Sequence, residues 1–404
     1  METFLSEEVG AFLKLVPWTA IEWVLVLSAL LVFALQLWYY LGFYRGIPRW
    51  AKRLDMGIAV LNDEKLPVSV VITANNQQKN LIKNLPFILE QDYPEFQVVV
   101  VDDASDDESS NVLGELCKKY PHLYHTFVPQ GVQNISARKI ALTVGIKAAK
   151  YEVVLFTDAN CKPVSNQWIK SIMRQFTPET EVVLSYSRYG NLKGLWANLI
   201  TYDNLFKAVR YLGMASSGKP YMGVGQNMAY RKALFFEQRG FASHLKLNNG
   251  EDDLFVSEIA KRTNTRIEVS SDAIIQIETM HPIELWIDHR INRLHTSSYY
   301  KPSSKYLHGT EIITRFLSFA LFFALLAIGL TKMDLFLILI GSVLFLTRLI
   351  VQVTTINACA STLNEKKFYF LVPIFDFVLP LYSLFQRIEG LLLRRRKHSH
   401  QILH

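Results

Sequence analysis

Two apolar runs that are each followed by acidic residues constrain the possible folds of this chain more than any other feature. Val98–Val101 is a run of four valines followed by Asp102 and Asp103, and Glu152–Phe156 is followed by the letters TDAN. A short apolar run bounded by turn residues predicts a strand buried on both faces of a parallel sheet. In open α/β sheets, ligands bind in the crevice beyond the carboxyl ends of the strands. The acidic ends therefore indicate a nucleotide at one strand and a hard divalent cation at the other. The alternative is that both ends serve only as helix N-caps.

The composition indicates membrane segments and a basic surface. Hydrophobic residues make up 50% of the 404 residues and the mean hydropathy is +0.15, which is high for a soluble protein. The net charge of +7 is concentrated at 45–53 and 394–397, beside apolar runs. This distribution favours anionic lipid headgroups as partners and argues against nucleic acid. The cysteines Cys117, Cys161 and Cys359 have irregular spacing, which predicts neither a disulfide framework nor a zinc site.

Apolar runs flank the chain at both ends. Trp23–Leu41 is long enough to cross a bilayer, and the basic residues after it predict that the following domain is cytoplasmic. Ile312–Leu330 and Leu335–Val353 predict a helical hairpin that crosses and returns. Phe368–Phe385 is interrupted by prolines, and we expect a kinked re-entrant or interfacial segment rather than a third C-terminal span. The predicted domains are an anchor (1–44), a basic linker (45–65), a catalytic domain (66–305) and a C-terminal membrane region (306–404).

Strands and helices alternate in the predicted catalytic domain. Strands are expected at Val68–Thr73, at the valine run and at Leu123–Val128. Helices are expected at Asn80–Gln91 and Ser109–Lys119 between them. This βαβαβ pattern predicts a parallel, nucleotide-binding half-sheet. A further helix over 136–150 would bring the cation of Arg138 close to the acidic strand ends, unless its start is merely solvated.

Further along the chain, a third acidic centre and a basic helix add candidate chemistry. Gly250-Glu251-Asp252-Asp253 contains carboxylates that can act as a general base at the start of a helix. The alternative is that these acids only stabilise the N-terminus of the helix by interacting with its dipole. Arg290 and Arg293 lie three residues apart on one helical face and can hold a diphosphate, unless the helix rests on lipid headgroups.

The ordered set of motifs resembles the inverting glycosyltransferases of family 2. The matching segments cover roughly residues 66–300 and end with GVGQNMAYRK and NNGEDDLFV; those before them are VSVVITANNQQKNL, QDYPEFQVVVVDDASDD, ARKIALTVGI and VLFTDANCKPVSNQWI. The resemblance implies a GT-A type α/β domain, with a mainly parallel sheet flanked by helices, that binds a nucleotide sugar. It implies a catalytic base at Asp252, with Asp253 as second choice, and a metal site of Mg²⁺ or Mn²⁺ at Asp158 and Asn160. The implied nucleotide-sugar-binding residues are Ala74, Asp102, Asp103, Arg138, Asp158, Gly225, Gln226, Asn227, Arg290 and Arg293.

The sequence departs from that family at several of these positions. Asn160 replaces the usual second aspartate of the Asp-x-Asp motif, which weakens the predicted metal site or leaves Asp158 to carry it. Asn75 and Gln77 replace the more typical arginine and glutamate of the first turn. Arg290 and Leu294 stand where the QxxRW motif of processive synthases has glutamine and tryptophan. This last departure argues against a processive polymerase.

The sequence as a whole predicts a multi-pass inner-membrane enzyme with its catalytic domain in the cytoplasm. It would transfer a sugar from a nucleotide-diphosphate sugar, expected to be UDP-linked, to a lipid-linked saccharide, polyprenyl phosphate or glycan. Membrane lipids and export or assembly proteins are the expected partners. Three alternatives remain: a processive polysaccharide synthase, a nucleotidyltransferase on a similar sheet, and a non-catalytic membrane protein that binds nucleotide sugar or lipid.

Overall fold

The computed structural model describes residues 18–128, 136–190, 192–194 and 196–401, with only the helical backbone described from 387 onward. The chain forms two compact units. One comprises Leu41–Tyr306 with Thr355–His404, and the other comprises Met1–Tyr40 with Leu307–Thr354. The first unit therefore includes the predicted catalytic domain together with the basic linker and the end of the chain.

The first unit contains two β-sheets. The larger has seven strands in the order β3-β2-β1-β4-β8-β6-β9, and the smaller has the order β5-β10-β7. β3, β2, β1 and β4 run parallel to one another, whereas β8 is antiparallel to both β4 and β6. The strands are β1 (Val68–Ala74), β2 (Phe96–Asp102), β3 (Leu123–Phe127), β4 (Val153–Asp158), β5 (Cys161–Pro163), β6 (Val182–Leu184), β7 (Ser187–Tyr189), β8 (Met228–Arg231), β9 (Thr265–Ile267) and β10 (Ile275–Ile277).

The predicted parallel half-sheet is confirmed, and its register brings the strand ends together. The four valines of β2 are fully buried, as expected for a strand covered on both faces. Ala74 of β1 pairs with Asp102 of β2, and Thr73 of β1 pairs with Asp158 of β4. Both acidic strand ends therefore lie at one edge of the sheet, on either side of β1.

Helices cover the sheet in the first unit, and long apolar helices form the second unit. The predicted helix at Ser109–Lys119 has those bounds, while the helix expected at Asn80–Gln91 begins and ends two residues earlier. The helices are α1 (Ala20–Leu37), α2 (Gly46–Asp55), α3 (Gln78–Leu89), α4 (Ser109–Lys119), α5 (Ala137–Ala148), α6 (Trp168–Met173), α7 (Trp196–Ser216), α8 (Lys232–Glu237), α9 (Asp253–Ile259), α10 (Pro282–Thr296), α11 (Pro302–Lys332), α12 (Leu335–Thr362) and α13 (Leu371–Gln401).

Gly145 permits the close approach that positions α5. A Cβ atom at this glycine would lie 2.6 Å from Cγ1 of Val71 and 3.1 Å from Cγ2 of Val101. These two valines belong to β1 and β2, so α5 packs directly on the centre of the parallel strands. The contact fixes the helix whose first turn carries Arg138.

Among the residues that the structure describes, three helices are long and apolar enough to cross a bilayer. They are the helical segment Ala20–Asp55, Pro302–Lys332 and Leu335–Thr362, judged by length and composition. These spans agree with the three crossings predicted from the sequence. They account for the high hydropathy of the chain.

The C-terminal apolar segment forms the continuous helix α13 in spite of Pro380. Its apolar part, Leu371–Gln386, is shorter than the three candidate spans. Tyr382 stacks on Trp286 of α10, with ring centroids 5.7 Å apart and an interplanar angle of 8°. Phe375 contacts Tyr202 of α7. The helix thus packs against α7 and α10. Its position in the membrane stays a prediction.

Candidate active site

The ends of β1 and β2 form the first side of the site. The main-chain N–H of Asp103 donates to the carbonyl of Ala74 over 2.7 Å, which continues the strand pairing past the valine run. Oδ1 of Asp102 accepts the N–H of Ser105 at 3.1 Å, so this buried carboxylate closes the turn after β2. Burial and the adjacent charge of Asp102 raise the pKa of Asp103 above its ordinary value. Asp103 thus presents its carboxylate at the sheet edge, while Asp102 also supports the loop.

Arg138 connects two of the acidic centres. Its Nη2 lies 2.7 Å from Oδ1 of Asp158 at the end of β4, and its Nε lies 2.8 Å from Oε1 of Glu251. The Asp158 charge, and to a smaller extent that of Glu251, raises the pKa of Arg138. The guanidinium is therefore a permanent positive charge held between two carboxylates at the first turn of α5.

The neighbouring Lys139 organises the loop that carries the third acidic centre. Its Nζ donates to the carbonyls of His244, Leu247 and Asn249 over 2.6, 2.6 and 2.9 Å. The side chain is 1% exposed, so these three bonds replace its hydration. Consecutive residues of α5 thus position the loop before Gly250 and one of the acids after it.

Asp252 is held by main-chain donors on both oxygens. Oδ2 accepts the N–H of Gly225 over 2.9 Å, and Oδ1 accepts the N–H of Asp253 over 2.7 Å. A Cβ atom at Gly225 would lie 3.4 Å from Cβ of Asp252, at ordinary contact distance, so the main chain of Gly225 lies directly beside this side chain. The carboxylate is oriented but retains further lone pairs for a proton donor.

A cleft contains these groups together. Arg138, Asp158, Gly225 and Asp252, all predicted from the sequence, line it with Glu251. The rest of the lining is mostly apolar and comprises Leu142, Phe156, Thr157, Met228, Tyr230 and Phe241. The cleft therefore combines charged side chains with a mostly apolar lining.

Asp253 lies in the interior and is absent from the described cleft lining. It is 4% exposed, and Oδ2 accepts the hydroxyls of Thr296 and, over 2.7 Å, Tyr300. Oδ1 accepts the N–H of Leu254. Burial, reinforced by the charge of Asp252, raises the pKa of Asp253 to about 7. The structure thus gives the second predicted base a bonding role between α9 and the end of α10.

Asn227 and Gln226 are buried, in contrast to the exposed sugar contacts expected of them. Nδ2 of Asn227 donates to the carbonyls of Tyr186 and Ala273 over 2.7 and 2.8 Å, and Oδ1 accepts Nε1 of Trp168. All of its hydrogen-bonding groups therefore serve the fold around β8. Gln226 is 6% exposed, and of the predicted residues Gly225, Gln226 and Asn227 only Gly225 is in the described cleft lining.

Arg290 is likewise committed to protein contacts. Its Nη1 pairs with Asp203 of α7, Nη2 donates to Ser383 over 2.5 Å, and Nε donates to Gln386 over 3.3 Å. Its guanidinium also lies 5.2 Å from the ring centroid of Trp286. Because every edge of this group is occupied, the structure assigns Arg290 to joining α7, α10 and α13.

Arg293 belongs to a basic group near the cleft. It acts electrostatically on Lys207 of α7 and on His289 of α10. Partial burial, and secondarily the charge of Arg293, lowers the pKa of Lys207 to about 7. Burial and then Lys207 lower the pKa of His289 to about 3, so its imidazole is neutral. The charge of Asp252 also acts on Lys207, so this group lies within electrostatic range of the predicted base.

The predicted metal site consists of two oxygens rather than a cluster. Oδ1 of Asp158 is bonded to Arg138, and Oδ1 of Asn160 accepts the thiol of Cys161 over 3.4 Å. Among the described residues, His, Cys, Asp and Glu form no group of three that could hold a metal. Mg²⁺ is often held by one or two protein oxygens and by substrate phosphates. The donor set therefore fits a hard cation that binds together with a diphosphate.

Glu251 and Lys207 were missed as site residues by the reasoning from sequence. Glu251 directly precedes the predicted base, and its position within Gly250-Glu251-Asp252-Asp253 was the available signal. Lys207 follows Asp203 by one helical turn within an aromatic helix, where no motif marks it.

A match to a protein-family model identifies the class of protein to which this chain belongs. A model of glycosyl transferase family 21 matches residues 23–385, so the chain belongs to glycosyl transferase family 21. It is an enzyme, a glycosyltransferase, as its motifs predicted. The narrower resemblance to family 2 stays a prediction.

Individual proteins show more limited similarity. The poly(ribitol-phosphate) β-N-acetylglucosaminyltransferase TarS of Staphylococcus aureus is 33% identical over 208 residues, which are 50% of this chain and 34% of TarS. The probable glycosyltransferase YdaM of Bacillus subtilis is 25% identical over 144 residues, 35% of this chain and 32% of YdaM. The chain thus spans about a third of the length of these curated relatives.

A solved structure supports the fold. The mannosyltransferase PcManGT from Pyrobaculum calidifontis, in complex with GDP-Man and Mn²⁺, has a TM-score of 0.52 to this chain and 19% sequence identity. The similarity covers 84% of this chain and 99% of PcManGT. The mixed sheet with flanking helices is accordingly a GT-A-like glycosyltransferase fold.

Proposed function

We propose that this glycosyltransferase moves a sugar from a nucleotide-diphosphate sugar, UDP-linked as the motifs predict, to a membrane-associated acceptor with inversion of the anomeric carbon. The observation that carries the proposal is the bridge of Arg138 to Asp158 and Glu251, at 2.7 and 2.8 Å, beside Asp252. This bridge connects the end of β4, where the donor diphosphate would bind, to the loop that holds the base. A single displacement needs these two functions in one cleft.

Asp252 is the proposed general base. Its two main-chain bonds, from Gly225 and Asp253, hold the carboxylate still while lone pairs remain for the acceptor hydroxyl. As the hydroxyl oxygen forms its bond to the anomeric carbon, Asp252 takes the proton. The bond from that carbon to the diphosphate oxygen breaks, and the nucleoside diphosphate leaves with the electron pair.

Arg138 and Arg293 are the proposed counter-charges for the departing diphosphate, since fixed cations stabilise charge that develops in the transition state. Asp158 and Asn160 would hold a divalent cation, Mg²⁺ or Mn²⁺, and when bound the cation supplies further positive charge to the diphosphate. The Mn²⁺ and GDP-Man bound to PcManGT support this pairing of cation and nucleotide sugar. Asp102, Asp103 and the turn at Ala74 are the proposed contacts of the nucleoside.

The proposed acceptor is a lipid-linked saccharide, a polyprenyl phosphate or a glycan at the membrane. Three candidate spans and the basic residues of 45–53 support this choice. The positive-inside rule further favours a multi-pass inner-membrane protein whose catalytic unit faces the cytoplasm. Export or assembly proteins would then receive the product.

A panel of radiolabelled UDP- and GDP-sugars tests the proposal. The full chain is incubated with each donor, native membrane lipids, and Mg²⁺ or Mn²⁺. We expect release of one nucleotide with transfer of label to the lipid fraction. Label in long polymer would instead establish a processive synthase. Donor binding without transfer would favour the non-catalytic alternative.

A further inference from the structure

Lys207 on α7 is a partly buried cation that no motif marks. Within the part of the chain that the structure describes, its side chain has neither a hydrogen bond nor an ion pair. A charged group that loses part of its hydration without gaining a partner is unfavourable in the free protein. The folded chain therefore holds this ammonium group in place at a cost that packing does not offset.

The contact between α7 and α10 brings Lys207 close to Arg293. Oδ2 of Asp203 accepts Nε1 of Trp286 over 2.7 Å, and Oδ1 of Asp203 pairs with Arg290. Lys207 follows Asp203 by one turn, and Arg293 follows Arg290 by one turn, so each cation lies beside this bonded contact on the same face of its helix. After burial, the charge of Arg293 is the largest influence on the pKa of Lys207, which it lowers.

The guanidinium of Arg293 also has donors to spare. Among the described residues its one hydrogen bond runs from Nη2 to the carbonyl of His289, in its own helix, over 3.4 Å. Burial lowers the pKa of His289 to about 3, so the imidazole between the two cations is neutral, and its Nδ1 lies 3.1 Å from the hydroxyl of Tyr189. Lys207 and Arg293 are therefore two neighbouring positive charges with free donors.

The predicted base relates this pair of cations to the active site. Asp252 acts electrostatically on Lys207 and also on Arg138. It thus lies within range of two separate groups of positive charge, one at the start of α5 and one between α7 and α10. A phosphate group brings up to two negative charges, and its oxygens accept hydrogen bonds from ammonium and guanidinium groups alike.

We propose that Lys207 and Arg293 together bind one phosphate group of a substrate, and that Lys207 is a binding residue of the transfer reaction. The phosphate would remove the repulsion between the two cations and fill the free donors of both. It belongs either to the donor diphosphate or to a lipid phosphate acceptor, which share this chemistry. The inference rests on the proposed function, because that function supplies both kinds of phosphate.

Equilibrium binding to the full chain tests the site. The probes are UDP and farnesyl phosphate, each beside its phosphate-free counterpart, uridine or farnesol. We expect Lys207→Met to weaken binding of one phosphate probe by about tenfold or more, the effect of losing one charge-assisted contact. Binding of the counterpart should not change. The probe whose affinity falls identifies the source of the phosphate.

Three further variants separate binding from structure. Lys207→Arg keeps the positive charge and should retain most of the affinity, and Arg293→Met on the facing helix should weaken the same probe as Lys207→Met. Lys219→Met, at an exposed lysine just after α7, should match the wild type. Lys207→Met should not lower the unfolding temperature of the free protein, because it removes no bond and relieves a repulsion between like charges.

Unchanged binding of both phosphate probes by Lys207→Met would overturn the inference. Arg138→Gln keeps this failure distinct from failure of the proposed function, since it should weaken UDP binding whether or not Lys207 contributes. Wild-type affinities in Lys207→Met beside weakened UDP binding in Arg138→Gln would therefore overturn the role of Lys207 alone. A wild type that binds neither phosphate probe more tightly than its counterpart would overturn both.

Discussion

Oδ1 of Asp252 accepts the main-chain N–H of Asp253 over 2.7 Å, yet the two carboxylates lie in different surroundings. Asp252 lines the cleft with Arg138, and Asp253 bonds to Tyr300 in the interior. Adjacent acids at the start of one helix thus have different tasks. One is available to a substrate, and the other joins two segments of the fold.

Asp253→Asn should change how stability depends on pH. The folded-state pKa of Asp253, about 7, lies above its ordinary value, so the folded protein prefers the protonated carboxyl. Its contribution to stability is present at low pH and is lost as the pH rises through about 7. Asparagine does not titrate, so thermal unfolding of the variant between about pH 5 and about pH 8 should decline less than that of the wild type.

Asp272→Asn is the control for that pH series, since Asp272 is exposed. It should reproduce the wild-type curve. Identical pH slopes for Asp253→Asn and the wild type would show that the buried carboxyl does not change its protonation in this interval.

Arg138→Gln should reduce kcat/KM by about 10²–10³, the range found when one donor to developing charge is removed. The substitution removes the positive charge between Asp158 and Glu251 and leaves two like-charged carboxylates facing one cleft. Steady-state kinetics with varied donor measure the effect. Lys118→Gln, at an exposed ion pair with Glu115, should match the wild type. A loss confined to the KM of the acceptor would contradict the proposed role at the donor diphosphate.

Asn160→Asp should lower the Mn²⁺ concentration needed for half-maximal activity. It adds a carboxylate to the predicted oxygen pair and restores the Asp-x-Asp pattern, and carboxylates are preferred ligands of hard cations. Asn160→Ala should have the opposite effect. Metal titrations of both variants, beside the wild type, provide the measurement. An unchanged titration in both would place the cation away from Asn160.

Substitution of Arg290 should mainly reduce stability, whereas substitution of Arg293 should mainly reduce activity. Arg290→Met leaves Asp203, whose side chain is only 15% exposed, without its guanidinium partner and should cost about 3 kcal/mol of unfolding free energy. Arg293→Met should lower kcat with a smaller loss of stability, because Arg293 faces the group around Lys207 and His289. Thermal unfolding and kinetics on both variants give the comparison. Equal losses of stability would show that Arg293 is also structural.

The local pattern of the sequence was enough to predict the four parallel strands β1 to β4 and the acidic ends of β2 and β4. The valine run and the residues at its end occupy consecutive positions, so burial and register follow from a few neighbours. The same holds for the three spans, which depend on composition alone.

Side-chain orientation within a motif could not be predicted in this way. Whether Asp252 or Asp253 faces the cleft depends on Thr296 and Tyr300, which lie more than forty residues later. The guanidinium of Arg290 is held in protein contacts because it pairs with Asp203, which lies 87 residues earlier. Asn227 is bonded by the carbonyls of two other segments. In each case the decisive partner belongs to a segment that the motif does not contain.

The most direct test of the account is sugar transfer by Asp252→Asn, measured beside Asp253→Asn with the reactive donor from the panel. Asparagine keeps the shape of the side chain but cannot take the acceptor proton. We predict that Asp252→Asn loses transfer by about 10² or more, that Asp253→Asn retains most of it, and that the product has the inverted anomeric configuration. Equal transfer by Asp252→Asn and the wild type, or a retained configuration, would contradict a single displacement with Asp252 as its base.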